Sequence, residues 1–513
     1  MRRRSVLAAS VALFAGCGTF SGDESGTTDS PSGETATEDS PTPEPMKNSP
    51  TPDSGNTPDK QGGQNDADES IWRDIDEVAL PDTRTVVDFD TTPLFATVAG
   101  TVQTTDGITV EVDMSSGATA ESPATFTAAI TNRLSYEQTI RPYRLVVMDD
   151  PPLGKSSEGE YVYFVPTEDH PFVETVPEYE RDEEGCWRVA SVADDWFPDT
   201  LTLPPERGFT ADYYVLGPPE RDSPPIKANR YAIPPGASSG FELVAWPTDE
   251  PGPQGKSRFA DADPPTLVGA ERMAWFHDAG PETTRYVRPS TESVDLPGTI
   301  EFEFHNRREE PVVGNPLYWR VHKLVDGEWF PIAPWLWPQP ATEVGPGERN
   351  RSTLALFHGE AVDIDTRTLG YVGGGTYAYE LNINAFEPPT FAAMFEVDAP
   401  SLTLDIEEEA TVTGDGATTE VTLPNHSDRR EPATAVITPA NGTPNRRLLA
   451  EQLPRRRFRV LRNSLPLLIG EDSRNEVQVR TNQVTVHEVR DYFDGEAVFA
   501  YQDRTYRVTT VSS

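Results

Sequence analysis

Pro123-Ala-Thr-Phe-Thr-Ala-Ala-Ile-Thr-Asn132 and Pro297-Gly-Thr-Ile-Glu-Phe-Glu-Phe-His-Asn306 are two versions of one ten-residue pattern, 174 positions apart. Alternate positions are apolar in both, namely Phe126, Ala128 and Ile130 in the first and Ile300, Phe302 and Phe304 in the second. Successive side chains of a β-strand point to opposite faces. The alternation therefore predicts a strand with one buried face in each copy.

Further matches follow in the same order along both copies. Leu145 and Val147 correspond to Trp319 and Val321 as a second strand, Gly185-Cys186-Trp187 to Gly327-Glu328-Trp329, Pro205 to Pro346 in a turn, and Tyr231-Ala232 to Tyr377-Ala378 in a later strand. About 32 extra residues, around 149–182, interrupt the first copy. Such internal repetition indicates tandem structural units.

This order of strands, with its asparagine, its Gly-x-Trp and the turn Pro346-Gly347-Glu348, resembles the bacterial Ig-like domains of exported lipoproteins. The resemblance covers residues 86–250 and 265–400. It implies a β-sandwich of about seven strands in each copy. It implies no activity, because such sandwiches carry many unrelated functions.

The whole chain after residue 70 is predicted to be all-β, because short alternating runs are broken by Pro, Gly and Asx turns. We expect tandem Ig-like β-sandwiches at 71–255, which contains the insertion, and at 256–400. Residues 401–513 are expected to form a separate β-rich domain.

Within 401–513, one short helix is predicted at 445–453, ended by Pro454. A hairpin is predicted for Ala497–Tyr501 against 505–511, with its turn at Gln502-Asp503. Residues 417–425 echo the strand that ends at Asn306, but no Gly-x-Trp follows them, so a third copy cannot be traced.

Residues 1–17 have the features of an export signal. A basic start that includes Arg3 and Arg4 precedes about ten apolar residues, too few to cross a ~30 Å hydrocarbon core, and Ala15-Gly16 precedes Cys17. The start resembles a twin-arginine signal and the end resembles a lipobox. The resemblance implies that Arg3 and Arg4 route export and that Cys17 carries lipid at the cell membrane. An uncleaved apolar tail is the alternative.

Residues 18–70 are rich in Ser, Thr, Pro, Gly and acid and contain no aromatic residue between Phe20 and Trp72. Such a segment buries too little apolar surface to offset the entropy of ordering it. We therefore expect a disordered, acidic stalk that lifts the folded part away from the membrane.

The charge balance is strongly acidic: 84 Asp and Glu face 43 Lys and Arg, of which six are lysines, and the net charge is −41. This composition resembles proteins of halophilic archaea. It argues against nucleic acid as a partner, because no basic stripe is present to displace counterions from phosphates. The one basic cluster, Arg455-Arg456-Arg457 with Arg459, is interpreted as local ion pairing.

Sequence motifs for common chemistries are missing. The chain has no P-loop and no dinucleotide fingerprint, and we predict no cofactor. With Cys17 lipidated, Cys186 has no partner for an intrachain disulfide and is expected to be buried.

No metal site is predicted. His305 and His322 alternate with apolar neighbours, so both are expected to face solvent, on different sheets, and not to converge on zinc. Acid pairs at 149/150, 194/195, 261/263 and 363/365 offer calcium-type oxygen ligands. In a chain with 84 acids, we interpret them as solvated surface.

Aromatic residues and sequons supply the candidate contact sites. Trp329, Trp335 and Trp337 lie close together in a Pro-rich stretch and form a candidate patch for a sugar or a protein; shared packing is the alternative, since the first copy has Trp187 and Trp196 at similar places. Asn350, Asn425 and Asn441 begin acceptor sequons for N-glycosylation.

The sequence as a whole favours a membrane-anchored extracytoplasmic lipoprotein that acts as a non-catalytic binding module of the cell envelope, with an envelope protein or glycan as partner. One alternative is an envelope hydrolase with a carboxylate site at an interdomain cleft. The other is a structural spacer of the surface layer.

Overall fold

The computed structural model describes residues 70–511, apart from 81–83, 105, 150, 174, 193–195, 220–222, 235–239, 384–387, 415–417, 428–430, 470–473 and 494–496. The export signal with Arg3, Arg4 and Cys17, and the stalk up to residue 69, lie outside the described residues. Strands dominate the described part and only one helix exceeds a single turn, so the predicted all-β class is confirmed.

Residues 70–255 contain fourteen strands, one helical turn and one 3-10 turn. They are β1 (Arg73–Asp74), α1 (Ile75–Val78), β2 (Val87–Phe89), β3 (Leu94–Gln103), β4 (Ile108–Ser116), β5 (Ala124–Asn132), β6 (Gln138–Ile140), the 3-10 turn Pro142–Arg144, β7 (Leu153–Lys155), β8 (Tyr161–Pro166), β9 (Tyr179–Arg181), β10 (Trp187–Val189), β11 (Leu201–Leu203), β12 (Arg207–Leu216), β13 (Arg230–Ile233) and β14 (Phe241–Pro247).

Eight of these strands form a closed ring in the order β12-β5-β4-β3-β14-β13-β7-β8, because β8 pairs with both β7 and β12. β3 turns the corner: its first half pairs with β14 and its second half with β4, and Gly100 at φ 150° lies where the partner changes. Inside the ring, Phe126 stacks on Tyr213 and meets Phe164 edge-on.

The extra residues of the first copy supply the strands that close this ring. β7 lies beside β13, as β20 lies beside β25 in the second repeat. The predicted strand containing Leu145 and Val147 is wrong: both residues lie in bends and turns after the 3-10 turn Pro142–Arg144, although both are fully buried. Alternate residues are therefore buried here in a segment that is not a strand.

Residues 256–400 contain twelve strands and one 3-10 turn. They are β15 (Met273–Trp275), the 3-10 turn Phe276–Asp278, β16 (Arg285–Pro289), β17 (Ser293–Asp295), β18 (Gly298–Asn306), β19 (Val312–Gly314), β20 (Trp319–Val325), β21 (Glu328–Ala333), β22 (Thr342–Val344), β23 (Arg349–Leu356), β24 (Arg367–Leu369), β25 (Gly375–Leu381) and β26 (Thr390–Asp398).

These strands make a sandwich of two facing sheets. One sheet has the order β15-β26-β25-β20-β21, with β17 added to β26, and the other has the order β16-β18-β23-β24. The alternation read from the sequence is confirmed, because Ile300, Phe302 and Phe304 on β18 are all buried between the sheets. Phe302 stacks across the core on Tyr379, with ring centroids 3.9 Å apart.

The two repeated asparagines make the same hydrogen bonds. The Asn132 side-chain amide donates to the carbonyl oxygens of Tyr136, Leu203 and Pro204 at 3.0–3.1 Å. The Asn306 amide donates to three carbonyls, of Glu310, Val344 and Gly345, at 2.9–3.1 Å. Each amide, fully buried, thus fastens the end of its strand to the turn that precedes β12 or β23.

The two repeated tyrosines also match. The Tyr231 hydroxyl donates to the carbonyl of Lys227 at 2.9 Å, and the Tyr377 hydroxyl donates to the carbonyl of Gly373 at 2.7 Å. Both bonds reach back four residues along the chain. A tyrosine bonded to backbone just upstream is a recurrent feature of Ig-type sandwiches.

The Pro346-Gly347-Glu348 turn of the sandwich docks on the closed ring. Gly347 has φ +65°, and a Cβ added to it would lie 2.5 Å from Cζ3 of Trp246 on β14. Arg230 on β13 donates to the Gly347 carbonyl at 3.1 Å, and Arg84 forms an ion pair with Glu348. The turn is thus part of the contact between the two repeats.

Gly347→Ala is expected to lower the free energy of unfolding by about 2–4 kcal/mol, because a left-handed backbone costs a non-glycine residue about 1 kcal/mol and overpacking adds about 1–3 kcal/mol. Gly327→Ala is the matched control, since Gly327 has φ +76° and open space around it. Urea denaturation compares the two variants. An equal loss in both would contradict the close approach to Trp246.

Residues 401–511 contain seven strands, three α-helices and three 3-10 turns. They are β27 (Thr411–Thr413), β28 (Thr418–Thr422), the 3-10 turn Pro424–Ser427, β29 (Pro432–Pro439), β30 (Arg446–Arg447), the 3-10 turns Ala450–Gln452 and Arg456–Phe458, α2 (Arg459–Arg462), α3 (Leu465–Leu468), β31 (Glu476–Asn482), α4 (Gln483–Phe493), β32 (Ala497–Tyr501) and β33 (Arg504–Val511).

The seven strands form one mixed sheet in the order β27-β28-β31-β29-β33-β32-β30. The predicted hairpin is confirmed as β32 and β33, with Gln502 and Asp503 both at positive φ in its turn. The segment 417–425, whose sequence is similar to the strand that ends at Asn306, does not form a sandwich strand. It contains β28, which pairs in parallel with β31, and Asn425 forms hydrogen bonds with Thr481 and Thr485.

The predicted helix at 445–453 is wrong. Its first part is β30, which pairs with β32, and only Ala450–Gln452 makes a single 3-10 turn. The helix of this region is α4, which buries Val486, Val489 and Phe493 on one face. Its β-branched start, Val484-Thr-Val, has the composition of a strand, which explains why sequence patterns miss it.

The 3-10 turn Ala450–Gln452 packs against one end of the sandwich. Glu451 forms a buried ion pair with Lys323 on β20, and the side-chain amide of Gln452 donates to the Pro331 carbonyl at 3.0 Å. Arg455 donates to the Gly370 carbonyl at 2.7 Å. These contacts join residues 401–511 to the sandwich.

Candidate functional site

The loop from 334 to 341 leaves β21 as Pro334-Trp-Leu-Trp-Pro-Gln-Pro-Ala and leads into β22. Its three prolines lack the N–H groups that a sheet requires, so the loop stands clear of both sheets. Trp335 and Trp337 are half-buried, and Leu336 between them is 86% exposed.

Trp337 is held on the surface of the sandwich. Its Nε1 donates to the Trp319 carbonyl, and its ring centroid lies 4.3 Å from that of Tyr318. The guanidinium carbon of Arg320 lies 4.6 Å from the same ring. Stacked cations stabilise such rings by about 0.5–1 kcal/mol at partly exposed positions.

Trp335 points the other way, into the C-terminal region. Its ring packs edge-on against Tyr492 of α4 at 5.6 Å and against Phe458 at 6.1 Å. Arg457 covers it at 4.8 Å and Arg320 reaches it at 6.0 Å. Trp335 therefore belongs to the core of residues 401–511 although it is supplied by the sandwich.

Cations and rings alternate along this surface in one continuous row, because Arg457 also contacts Tyr492, and Arg446 covers Tyr492 at 4.5 Å. We call the row the aromatic–arginine ladder; its members are Tyr318, Trp337, Arg320, Trp335, Arg457, Tyr492 and Arg446. It crosses the junction between the sandwich and residues 401–511. The ladder holds Trp335 and Trp337, the two neighbours of Leu336, in place.

Trp329 is not part of the ladder, so the predicted three-tryptophan patch is corrected. The Trp329 side chain is 2% exposed, donates from Nε1 to the Pro265 carbonyl at 2.8 Å and stacks near Trp275. It lies in a small apolar cluster that covers the outer face of the β20–β25–β26 sheet. A ligand cannot reach it in this arrangement.

The arginines of the basic cluster noted in the sequence make two kinds of contact. Arg456 pairs with Glu488 at 2.8 Å and Arg459 pairs with Glu407 at 2.7 Å, which agrees with local ion pairing. Arg457 instead joins the ladder. Arg320 and Arg446 carried no sequence signal, and Arg457 was singled out only as a member of the basic cluster.

The two histidines expected at the surface are buried. His305 lies beneath Tyr286, whose ring is 4.7 Å away, and burial followed by the nearby Arg307 lowers the pKa of His305 to about 4. His322 is covered by the outer apolar cluster and bonds Glu380 at 2.6 Å. They do lie on different sheets, as predicted. Strand alternation misplaced them because both faces of these sheets are covered.

Among the described residues, no three His, Cys, Asp or Glu side chains come together as metal ligands. Asp149 is described but Asp150, Asp194 and Asp195 lie outside the described residues. Cys186 is buried, as predicted, and burial raises the pKa of its thiol.

Carboxylates do lie at the cleft between the two repeats, a cavity of about 410 Å³. Glu242 is paired with Arg230 and Glu348 with Arg84. Elsewhere, burial raises the pKa of Asp182, but hydrogen bonds from Ser223, Arg188 and the Cys186 N–H outweigh it and the net shift is downward. A general acid for glycoside hydrolysis needs the opposite shift.

The three sequons differ in access. Asn441 is exposed, Asn350 is half-buried within β23, and the Asn425 amide donates to Thr485 at 2.9 Å. The Asn425 amide is thus already engaged within the fold, whereas Asn441 is open to modification.

No helix of the described residues is long and apolar enough to cross a membrane. No family model and no curated protein matches this chain. An alkylpurine DNA glycosylase of Pseudomonas fluorescens, solved with DNA containing an abasic-site analogue, is 16% identical over 23% of this chain and 31% of its own, with a TM-score of 0.15. A polysaccharide lyase is 8% identical over 60% of this chain and 39% of its own, with a TM-score of 0.13. The chain therefore spans well under half the length of either protein, and these low scores assign it to no family.

Proposed function

We propose that this protein is an exported lipoprotein, anchored to the membrane through Cys17, that serves as a non-catalytic binding module of the cell envelope. The strand-end asparagines and tyrosine hydrogen bonds shared by the two repeats support an Ig-like interpretation of the second repeat. The first repeat shares these bonds but is one sheet closed into a ring and not the predicted sandwich of two sheets. The proposed partner is an envelope protein or a glycan, and the strong negative charge disfavours nucleic acid.

One observation carries the binding proposal: the ladder holds an almost fully exposed Leu336 at the tip of a fixed loop. Pro338, Gln339 and Pro340 beside it are exposed too. A contact loop that is already rigid loses little conformational entropy when a partner binds. A lone exposed leucine needs no explanation by itself, but one clamped between two anchored tryptophans is suited to fill a pocket on a partner.

Leu336→Asp tests this proposal, with Val268→Asp as the matched control because Val268 is 58% exposed on another surface. The full chain would be used to capture partners from envelope extract in concentrated salt. We expect Leu336→Asp to reduce recovery of the captured component at least tenfold and Val268→Asp to leave it unchanged. Equal recovery by both variants would contradict the loop as contact surface and favour the structural spacer.

Cys17→Ser is expected to release the protein from the membrane, because a lipid chain contributes about 0.8 kcal/mol per buried CH₂ group and the variant would lack it. Membrane and soluble fractions would be compared by immunoblot. Cys186→Ser, which changes the buried cysteine, is the control and should stay with the membrane. Retention of Cys17→Ser at the membrane would contradict the anchor.

A further inference from the structure

Three arginines of the sandwich converge on one cavity that no residue of the ladder lines. Arg272, Arg285 and Arg308 line a cavity of about 520 Å³, and Val312 and Phe391 give it an apolar wall. Cavities of this size hold small molecules. Among the described residues, Glu282 is the one acidic side chain of the wall.

Neutral oxygens, not carboxylates, hold these three guanidinium groups. Arg285 donates from Nε to Asn306 Oδ1 at 2.9 Å and from Nη2 to the Glu310 carbonyl at 2.7 Å. Arg308 donates to Thr284 Oγ1 at 2.8 Å, and Arg272 donates to the Pro388 carbonyl at 3.2 Å. Their positions are therefore fixed while their charges stay uncompensated by an ion pair within the described residues.

Many other arginines of the described residues pair with carboxylates instead. Arg230 pairs with Glu242, Arg351 with Glu303 and Arg459 with Glu407. With 84 acidic residues in the chain, an acidic partner is easily supplied. Partial burial, followed by the adjacent Arg308, lowers the pKa of Arg285, although the nearby Glu310 carboxylate acts in the opposite direction. Arg272 and Arg308 are exposed, so their charges are open to a ligand from solvent.

We propose that this cavity binds a small organic anion with two or more carboxylate, sulfate or phosphate groups, through Arg272, Arg285 and Arg308. The planar guanidinium group binds such oxyanions through two parallel hydrogen bonds. The apolar wall formed by Val312 and Phe391 would contact the carbon skeleton of the ligand. The site goes beyond the proposed loop contact and does not depend on it.

Isothermal titration calorimetry of the full chain with citrate, sulfate and inorganic phosphate tests the proposal, at constant ionic strength set with potassium chloride. We expect at least one probe to bind, and the double variant Arg272→Gln/Arg308→Gln to bind it at least tenfold more weakly. This variant leaves Arg285, which supports Asn306, in place. Citrate binding alone would identify a carbon skeleton as part of the ligand, and binding of sulfate or phosphate would identify the oxyanion as sufficient.

Arg288→Gln is the matched control, because Arg288 is exposed on the same strand, β16, and does not line the cavity. It removes one positive charge, where the double variant removes two, and should leave probe affinity unchanged. Equal weakening by Arg288→Gln would show a general charge effect and overturn the site. Absence of binding by all three probes would overturn it as well.

Discussion

Asn132→Asp is expected to lower the free energy of unfolding of the closed ring by about 4 kcal/mol. The change keeps the size of the side chain but removes the amide hydrogens that the carbonyls of Tyr136, Leu203 and Pro204 share. Each buried carbonyl left without a donor costs about 1–3 kcal/mol, and a carboxylate facing three carbonyl oxygens is repelled by them.

Asn306→Asp should cost less, because Arg285 donates to Asn306 Oδ1 and would offset part of the new negative charge. Asn441→Asp, at an exposed position, is the control and should change stability by less than about 0.5 kcal/mol. Urea denaturation followed by tryptophan fluorescence measures all three. An Asn132→Asp variant as stable as the control would contradict the role given to the repeated asparagine.

Mild acid is expected to destabilise the folded chain through its buried histidines. Burial lowers the pKa of His170 to about 3, and the pKa of His305 is lowered to about 4. Both values lie below the ordinary 6.5, so the folded state binds fewer protons than the unfolded state as pH falls from 6.5. The free energy of unfolding that these two histidines contribute above pH 6.5 is therefore lost as the pH falls toward 4. At pH 4.5 the two histidines together lower the free energy of unfolding by about 5 kcal/mol.

His170→Gln isolates one contribution. His170 Nδ1 accepts from the Phe172 N–H at 3.2 Å, so its Nε2–H donates to the Tyr213 hydroxyl, a bond that glutamine can imitate. We expect the fall in unfolding free energy between pH 7 and pH 4.5 to be about 2–3 kcal/mol smaller in this variant. Comparison with the parent chain at each pH cancels the effect of protonating surface acids. The control is His487→Gln, at an exposed position on α4; an equally flattened profile there would contradict the assignment to His170.

The fold was predictable where local pattern and burial agree. The strands that end at Asn132 and Asn306, and the hairpin of β32 and β33, could be read from alternation and turn residues. The closure of the ring could not be predicted, because it depends on the short strands β7 and β8, of three and six residues, and on a pairing of β8 with β12 that joins residues about 50 positions apart. Helix α4 could not be predicted because its first turn is β-branched, which favours a strand. In such segments tertiary packing, not local propensity, determines the secondary structure.

The candidate site was predictable in part. The Pro-rich tryptophan stretch pointed to the right loop, but not to which ring faces outward, since Trp329 and Trp335 both pack inward. Arg320 and Arg457 are brought together only by the junction with residues 401–511. The arginine cavity likewise assembles from β16 and from segments near 272, 308 and 390 that share no sequence motif.

The closed ring affects where the protein can associate with other copies of itself. Open sheets present unpaired N–H and C=O groups along their outer strands, and these groups template intermolecular association. The ring of the first repeat has no such full-length border, whereas the sandwich sheets end at β15, β21, β16 and β24 and the C-terminal sheet ends at β27 and β30. In concentrated electrolyte, where repulsion between acidic surfaces is screened, self-association should therefore start from these open sheets and not from the first repeat.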